Sequence, residues 1–431
     1  MSFSELEKRV LDAIDSNKDR IIDIAKKILS KPETGFKEHE TAKLVSEVFS
    51  SLSIPCTTGH AVTGVKASLG ADSGFNVCLI GELDSVICAG HPYSNPVDNA
   101  AHACGHHGQI AWLLGAAIGL SASNALSELP GGKVTFMAVP AEEYIDTDFR
   151  QSLKDEGKIK FFSGKQQLIY EGEFDNVDVA MMMHAQPDEP NEKVFIHSES
   201  LGFVMKSVTF KGKSVHAAKP YDGVNALNAA ALAILGIHAN RETFREEDKI
   251  KVHFIITKGG DIVNAVPSEV CLECQVRGAN IPAMMKAAEE TDRAIKGAAM
   301  MVGAEVDIKT TMGYQPFNQS YELGEMFASV ACEFIGNDNI VRGVDMTGSS
   351  DIGDLSHLLP TIQPMVGGFT GQLHSKEFAA SDDYTAYVLP AKIMAVTAIR
   401  LLKDGCKLGK EIKSSFTPTM SKDEYLKFLE D

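Results

Sequence analysis

Short apolar runs typical of β-strands alternate with helical patterns in the N-terminal half of this chain. Apolar residues recur at helical spacing over 6–30 and again near 38–52. Strand-like runs occur at 65–70, 75–83, 133–139 and 177–184, and an apolar helical pattern covers 107–121. Strands that are joined through helices pair in parallel, and a parallel sheet needs helices on both faces. The sequence therefore predicts an α/β domain, with a mainly parallel sheet between two layers of helices.

A second order of elements occupies the middle of the 431-residue chain, which is too long for a single hydrophobic core. Between 202 and 312 the patterns predict β-α-β-β-α-β, the order of a ferredoxin-like α+β unit that can fold on its own core. The first kind of pattern resumes after Tyr314. The sequence thus predicts one domain formed by 1–201 and 313–431, and a second domain inserted at 202–312.

The composition is that of a globular protein with a strong excess of acidic groups. The formal net charge is -17, from 41 basic and 58 acidic side chains, and it repels nucleic acids and anionic membrane surfaces. The N-terminal region carries charges throughout a helical pattern, and no apolar run approaches the roughly 20 residues of a membrane span. The eight cysteines lack the dense spacing of a disulfide scaffold. We therefore predict a cytoplasmic protein with neither nucleic acid nor membrane as a partner.

Five side chains that can bind divalent metals follow predicted strands or lie at loop-helix junctions. They are Cys104 and His106 in HACGHH, Glu143 in VPAEEY, His184 in MMMHAQ, and His374 in GQLHSKEF. Thiolate, imidazole and carboxylate are the ligands that zinc prefers, and catalytic zinc sites leave one position open for water. If the five meet, they predict a metal-activated water and hence a hydrolase.

Each of these motifs, taken alone, also has a structural explanation. Cys104 and His106 straddle Gly105, which lets both donors reach one cavity, but a buried structural pair fits the spacing equally well. Glu142 and Glu143 leave a strand in different directions, so one could bind a metal while its neighbour moves a proton. An isolated glutamate pair is otherwise an acidic surface turn, and a lone histidine is a hydrogen-bonded core residue.

Two acidic residues at another strand end are candidates for support of the site. Glu82 and Asp84 are two apart, so they share a face, and one carboxylate could orient a ligand histidine. Solvated acids at an ordinary strand end explain the same pattern. His216, in the inserted domain, is either a solvated loop residue or a donor that reaches the metal site.

Several sequence motifs occur in an order along the chain that is highly specific for one protein family. They are KPETGFKEHETA, GELDS, HACGHH, PAEEY, MMMHAQPD, GKSVHAAKPYDGVNAL, NAVPSEV, and SSDIGDLSHLLPTIQP leading to QLHS. Together they resemble the co-catalytic metallopeptidases that include aminoacylase and glutamate carboxypeptidase, in particular the amidohydrolase branch with the aminobenzoyl-glutamate hydrolases. The resemblance covers nearly the whole chain. It implies a catalytic domain at 1–201 and 313–431, and a lid at 202–312 that mediates homodimerisation.

The resemblance also implies a role for each matching residue. Two divalent metal ions, zinc or manganese, would bind to Cys104, His106, Glu143, His184 and His374. Glu142 matches the general acid/base of the family, and Asp84 resembles its supporting carboxylate. The lid positions that approach the substrate correspond to His216, Asn264 and Arg277.

One motif departs from the amidohydrolase pattern. Many members of this branch read Cys-Gly-His-Asp-x-His, whereas this chain has His107 and Gln109 at the last two informative positions. We expect those positions to line the approach to the metals. The difference therefore bears on the identity of the substrate and leaves the five ligands unchanged.

The leading hypothesis is a metal-dependent hydrolase that cleaves the amide of an N-acyl amino acid, an aminobenzoyl-glutamate-like compound or a small dipeptide. Deacylation of N-acetyl amino acids and β-alanyl dipeptide cleavage are alternatives within the same class. A non-catalytic metal- or peptide-binding protein on the same scaffold is the alternative from another class, although binding alone would not need Glu142. Thiol redox chemistry at Cys104 is disfavoured, because no resolving cysteine lies beside it in the sequence.

Overall fold

The computed structural model describes residues 3–344 and 348–430. The α-helices are α1 (Glu5–Ser16), α2 (Lys18–Leu29), α3 (His39–Ser51), α4 (His106–Ala122), α5 (Thr147–Asp155), α6 (Gly164–Glu171), α7 (Ala226–Ala239), α8 (Ile281–Val302), α9 (Tyr321–Ile335), α10 (Ile352–Ser356), α11 (Leu389–Ser415) and α12 (Lys422–Glu430). The β-strands are β1 (Cys56–His60), β2 (Gly64–Gly70), β3 (Phe75–Glu82), β4 (Val86–Ile87), β5 (Ala100–Ala101), β6 (Gly132–Val139), β7 (Val179–Met182), β8 (His184–Ala185), β9 (Val194–Ile196), β10 (Gly202–Lys211), β11 (Lys251–Lys258), β12 (Glu269–Gly278), β13 (Glu305–Met312), β14 (Ile340–Arg342), β15 (Thr361–Ile362), β16 (Met365–Val366), β17 (Phe369–Thr370) and β18 (Ala379–Ala380).

The chain forms two compact units. The first unit comprises 1–198, 318–345 and 354–422, and the second comprises 199–317, 346–353 and 423–431. Residues 1–2, 345–347 and 431, which fall within the domain limits predicted from the sequence, lie outside the described residues. The sequence predicts an inserted domain at 202–312, whereas the second unit begins at 199 and also includes 313–317, 346–353 and 423–431.

The first unit is built on a six-stranded sheet with the order β1-β2-β6-β3-β7-β15. The strands β6, β3, β7 and β15 are parallel neighbours, whereas β1 and β2 add an antiparallel edge. Every residue of β3 and β7 is buried, which requires cover on both faces of the sheet. The predicted α/β class with a mainly parallel sheet is therefore confirmed.

Helices α4 and α11 pack on each other and on β3 in the core of the first unit. All residues of α4 from His106 to Leu120 are buried, as expected for a helix that is apolar on every side. The stretch Tyr384–Ser415 is long and apolar enough to cross a membrane, but 94% of its apolar window is buried inside the protein. It therefore has the burial of a core helix.

The second unit has the predicted element order, β10-α7-β11-β12-α8-β13. Its antiparallel sheet has the order β11-β12-β10-β13, the ferredoxin-like arrangement. Helices α7 and α8 pack on each other and against this sheet, around a core separate from that of the first unit. The fold class predicted for the inserted segment is confirmed.

Two predicted elements are divided in the structure. The helical pattern over 6–30 forms two helices, because the chain turns at Asn17, whose side-chain amide donates to the carbonyl of Ala13 over 2.8 Å. The strand predicted at 177–184 ends at Met182. His184 starts β8 in another sheet, where its N–H donates to Pro364, so it does not end the apolar strand.

Candidate metal centre

The carboxyl ends of neighbouring parallel strands carry the acidic residues that the sequence singles out. Strand β3 ends at Glu82 and is followed by Asp84, while β6 is followed by Glu142 and Glu143. Glu82 and Asp84 are fully buried, and Glu142 is 7% exposed. Open α/β sheets form their ligand sites at this edge of the sheet.

The five predicted metal donors form two groups that share one residue. Ligand atoms of Cys104, His106 and His184 lie within 4.8 Å of one another, and so do those of Cys104, Glu143 and His374. The Cys104 Sγ atom is 3.5 Å from Nε2 of His184. All five side chains, although far apart in the sequence, therefore converge around the thiol of Cys104.

Gly105 allows Cys104 and His106 to turn into the same space. Its φ is +85°, in the left-handed region that favours glycine, and a Cβ atom there would lie 2.7 Å from Cβ of Ala185. Helix α4 begins at the next residue. The glycine thus fixes both donors at a helix N-terminus, where the helix dipole favours an anionic thiolate.

Backbone carbonyls fix the orientation of both imidazoles. The Nδ1 atom of His106 lies 2.9 Å from the carbonyl oxygen of Asp84, and Nδ1 of His184 lies 2.9 Å from that of Ala185. A carbonyl oxygen only accepts, so Nδ1 carries the proton in each ring. The Nε2 atom is left as the metal-binding atom, in the arrangement that proteins use to support ligand histidines.

Two buried ligand atoms have no hydrogen-bond partner among the described residues, and they test whether the site fits a metal. They are Nε2 of His106 and Oε1 of Glu143. Nε2 of His374 is 3.2 Å from this Glu143 oxygen, and the two form an ion pair only when the imidazole is protonated. Buried polar atoms are normally paired, so these unpaired atoms, together with a thiol, imidazoles and carboxylates, fit a bound divalent cation.

The protonation of the site without metal follows from its burial and its charges. Burial, and next the Glu143 carboxylate, raises the pKa of the Cys104 thiol well above its ordinary value. Burial would lower the pKa of His106, but the Glu82 carboxylate and Cys104 raise it well above its usual range. Metal binding must therefore displace protons from both groups, as it does at other thiolate and imidazole sites.

Glu142 and Glu143 point to different parts of the site, as expected for adjacent residues. Glu142 forms a third group with Glu82 and His106, whose ligand atoms lie within 4.8 Å of one another. Ala141, just before the pair, has a φ of +54°. A non-glycine residue in this region is strained, and such strain clusters at functional sites.

The buried side chain of Arg150 clamps the loop that carries the two glutamates. Its guanidinium donates to the carbonyls of Phe162 and Glu143 and packs over the rings of Phe36 and Tyr144. Arg150 is fully buried. No sequence pattern indicated this arginine, because it occurs in a polar helix, α5, without a recognisable motif.

Asp84 lies where a supporting carboxylate is expected. Its Oδ2 atom accepts from the backbone N–H of Glu143 over 2.9 Å, and its Oδ1 atom is 3.3 Å from Nδ1 of His106. It thereby connects two predicted ligands. The other carboxylate near His106, that of Glu82, lies 3.1 Å from Nε2 and forms an ion pair with Lys165, which no sequence pattern indicated.

Gln109 and His107 do not line an open approach to the metals, contrary to the expectation from the sequence. Both side chains are buried: Gln109 binds Glu82, and Nε2 of His107 lies 3.1 Å from the Tyr387 hydroxyl. The reason is the depth of α4, which is enclosed on all sides. The departure from the common motif therefore affects the buried groups around the site, where Gln109 holds Glu82, and does not affect an open approach to the metals.

The predicted substrate residues lie at two ends of the second unit. His216 and Asn264 are on facing segments, joined by a hydrogen bond from the N–H of Ala217 to the carbonyl of Asn264. Arg277 lies near the far end of β12, about 26 Å from Glu269 at the start of that strand by the usual rise per residue, and its guanidinium donates to the hydroxyl of Ser349. The structure thus brings His216 and Asn264 together and separates Arg277 from them.

The family of the chain is established by a match to the family model of peptidase family M20/M25/M40, which extends over residues 78–395. The chain belongs to this family. It is therefore a metal-dependent hydrolase of the amidohydrolase and peptidase class, as the sequence motifs implied.

Curated relatives align with most of the chain at moderate identity. The chain is 27% identical to the Xaa-Arg dipeptidase of Mus musculus, over 92% of this chain and 89% of the relative. It is 28% identical to one of the p-aminobenzoyl-glutamate hydrolase polypeptides of Escherichia coli, over 71% of this chain and 61% of the relative. Both names describe hydrolases of small amides.

Solved structures share the fold. A dinuclear metal binding peptidase of the M20 family from Bacillus subtilis has a TM-score of 0.72 and 21% identity, over 90% of this chain and 99% of that chain. The aminobenzoyl-glutamate utilization protein of Klebsiella pneumoniae has a TM-score of 0.68 and 18% identity, over 91% and 99%. At these identities the likeness establishes the fold.

Proposed function

We propose that this protein uses two divalent ions, zinc or manganese, to hydrolyse the amide bond of an N-acyl amino acid, an aminobenzoyl-glutamate-like compound or a small dipeptide. The observation that carries the proposal is the pair of donor groups that share Cys104, with Glu142 beside them. Two groups with one common residue would suit two ions that share Cys104 as a ligand. The dinuclear relative from Bacillus subtilis has the same fold and supports this stoichiometry.

Each residue of the centre has a role that its position supports. Cys104, His106 and His184 would hold one ion, and Cys104, Glu143 and His374 the other. Bound there, divalent ions supply an acidified water and polarise the scissile carbonyl. Glu142 lies close enough to His106 to accept a proton from that water and deliver it to the leaving amine, while Asp84 keeps His106 in position.

The substrate class rests on the chemistry of the relatives. One is named for a dipeptide and the other for an aminobenzoyl amide of glutamate, and both compounds contain an amide next to an amino acid. The roles of His216, Asn264 and Arg277 toward such a substrate remain predictions. A panel of N-acyl amino acids, aminobenzoyl-glutamate and dipeptides, assayed on the metal-loaded protein, would identify the preferred amide.

The neighbouring glutamates provide a direct test of the mechanism. Glu142→Gln should lower turnover by about two to four orders of magnitude, the usual contribution of a general acid or base, with the metal content unchanged. Glu143→Gln should instead lower the metal content, because it removes a ligand. Turnover and metal per chain are measured on the same preparations. Near-normal turnover in the Glu142 variant would contradict the proposed role.

We also propose a cytoplasmic homodimer that pairs through the second unit. Strand β11 lies at an edge of its sheet and exposes Ile255 and Ile256 by 52% and 41%, and Val263 nearby is 92% exposed. An apolar edge strand can pair with a second copy. Sedimentation of the double variant Ile255→Lys, Ile256→Lys should then give monomers, while an unchanged dimer would reject this interface.

A further inference from the structure

A buried ion pair lies directly beneath the candidate metal centre. The Lys165 ammonium is 2.6 Å from Oε1 of Glu82, and both side chains are fully buried. Buried charges are costly to desolvate, and replacing such a pair with neutral residues of similar volume is often neutral or stabilising. Stability alone therefore gives little reason for a lysine at this place.

Gln109 holds the same carboxylate from the other side. Its Nε2 atom donates to Oε2 of Glu82 over 2.7 Å, and its Oε1 atom accepts from the backbone N–H of Glu82 over 3.3 Å. Both ends of the amide are used on one residue, so the carboxylate has a single orientation. Gln109 is fully buried in α4, three residues after His106.

The backbone allows Lys165 to reach Glu82 only through a close approach. Helix α6 begins at Gly164, where a Cβ atom would lie 1.7 Å from the carbonyl oxygen of Pro140 at the end of β6. Ser163 caps the helix by accepting from the N–H of Gln166. The first turn of α6 thus lies against the end of β6, next to the loop that carries Glu142 and Glu143.

The held carboxylate faces a metal-binding atom. Oε2 of Glu82 is 3.1 Å from Nε2 of His106, and this nitrogen has no hydrogen-bond partner among the described residues. Because Nδ1 of His106 already donates to the carbonyl of Asp84, Nε2 is the nitrogen that either carries the second proton of the imidazolium or binds a metal ion. The Glu82 oxygen and an unprotonated Nε2 both only accept hydrogen bonds, so they can lie this close only when a proton or a cation lies between them.

We propose that Glu82 is a further anionic partner of the metal centre, and that Lys165 and Gln109 are positioning residues that hold its carboxylate at Nε2 of His106. The ammonium and the amide occupy the outer sides of the carboxylate, so its remaining lone pairs face the site. The Glu82 carboxylate would then present a preset negative charge to a divalent ion, without having to change its own orientation. This inference rests on the proposed metal-dependent function.

The test compares zinc affinity in two matched double variants of the full chain. Glu82→Gln with Lys165→Met removes the carboxylate and leaves no unpaired buried charge. Lys392→Met with Asp15→Asn removes another ion pair of the same unit, of 2.5 Å, that lies outside the candidate centre. Zinc dissociation constants of the metal-free proteins are measured by competition with a chromophoric chelator, and the unfolding midpoints without metal are recorded.

The first variant should bind zinc about 10- to 100-fold more weakly, the usual effect of losing a group that supports metal ligands, while the second should bind like the wild type. Gln109→Met, which keeps the ion pair and removes the clamp, should weaken zinc binding in the same direction. If the midpoints change while zinc affinity stays within about twofold in both site variants, the network is purely structural and the proposal is overturned. A wild type that binds zinc and cleaves amides keeps the proposed function even then, whereas one that binds no divalent ion rejects both.

Discussion

At the scale of single residues, the surroundings of each buried acid at the site determine its pKa and therefore whether it is protonated. Burial would raise the pKa of Glu82, but Lys165 and His106 lower it to about 2. Glu38 is the opposite case, because burial and next the Asp84 carboxylate raise its pKa from 4.5 to about 8. Glu38 therefore stays protonated at neutral pH while Glu82 is charged. The Glu38 carboxyl group accepts hydrogen bonds from the Thr63 hydroxyl and from the N–H of Ala141.

The raised pKa of Glu38 predicts a pH dependence of folding. The folded protein holds this proton more tightly than the unfolded chain, so the stabilisation is complete below pH 4.5 and is lost as the pH rises toward 8. Glu38→Gln mimics the protonated group and should flatten this decline. Because a change of one pKa unit is worth about 1.4 kcal/mol, urea unfolding of the metal-free proteins can detect it.

The exposed variant Glu47→Gln on α3 serves as the control and should retain the wild-type decline. A decline in stability between pH 5 and 8 that is equally steep in the Glu38 variant would show that Glu38 does not hold the proton.

The sequence was informative about the metal donors and about the supporting carboxylate of Asp84, and less informative about the other groups that hold the donors. Cys104, His106 and Glu143 belong to motifs with recognisable spacing, so their convergence could be expected. Lys165 belongs to no such motif, and Glu38 lies in KPETGFKEHETA, which gave it no role, since a buried lysine or a protonated glutamate depends on the groups packed around it. The position of Gln109 was notable in the sequence, but the direction expected for its side chain was wrong, because only packing reveals which face of α4 meets β3.

At the scale of elements, the loop after β6 is shaped by how closely α6 approaches it. Gly164 leaves no room for a side chain beside Pro140. The following turn places Lys165 against Glu82, and Arg150 from α5 holds the carbonyl of Glu143. Two short helices therefore determine the geometry of a loop that neither of them contains.

The same substitution at two glycines should have opposite effects. Gly164→Ala forces a Cβ into the backbone of Pro140 and should lower the free energy of unfolding by about 3 kcal/mol or more. Gly297→Ala lies within α8 with no atom within 4 Å of the added Cβ, and it should raise stability by up to about 1 kcal/mol. Denaturant unfolding of both variants checks the signs. A benign Gly164→Ala would mean that α6 can move away from β6 at little cost.

Elements with strong periodicity were predictable, and their interruptions were less so. Helix α4 and strands β3 and β6 are long apolar runs, and burial made them visible in the sequence. The sequence does not reveal helices α5 and α6, because they are only nine and eight residues long and several of their buried positions are polar, Arg150 in α5 and Lys165, Gln166 and Gln167 in α6. The turn at Asn17 and the end of β7 at Met182 depend on hydrogen bonds that periodicity does not encode.

At the scale of the whole molecule, the described residues of the two units form separate hydrophobic cores that share no buried residue. The predicted metal donors all belong to the first unit, whereas the second unit has its own sheet and helices. The long segment of the second unit, 199–317, has its two ends close together. There the N–H of Phe203 donates to the carbonyl of Tyr314 over 2.9 Å, and the N–H of Gly313 donates back to Phe203 over 3.1 Å.

Adjacent ends and a separate core predict that the fragment 199–317 folds as an isolated chain with a cooperative transition. Its stability should not respond to zinc, because it holds none of the five donors. The full chain should gain about 2.7 kcal/mol at a zinc concentration about 100 times its dissociation constant, since only the folded centre binds the ion. Calorimetry of both proteins, with zinc and then with a chelator, measures the difference. A fragment that stays unfolded, or one that zinc stabilises as much as the full chain, would contradict the assignment of fold and metal binding to separate units.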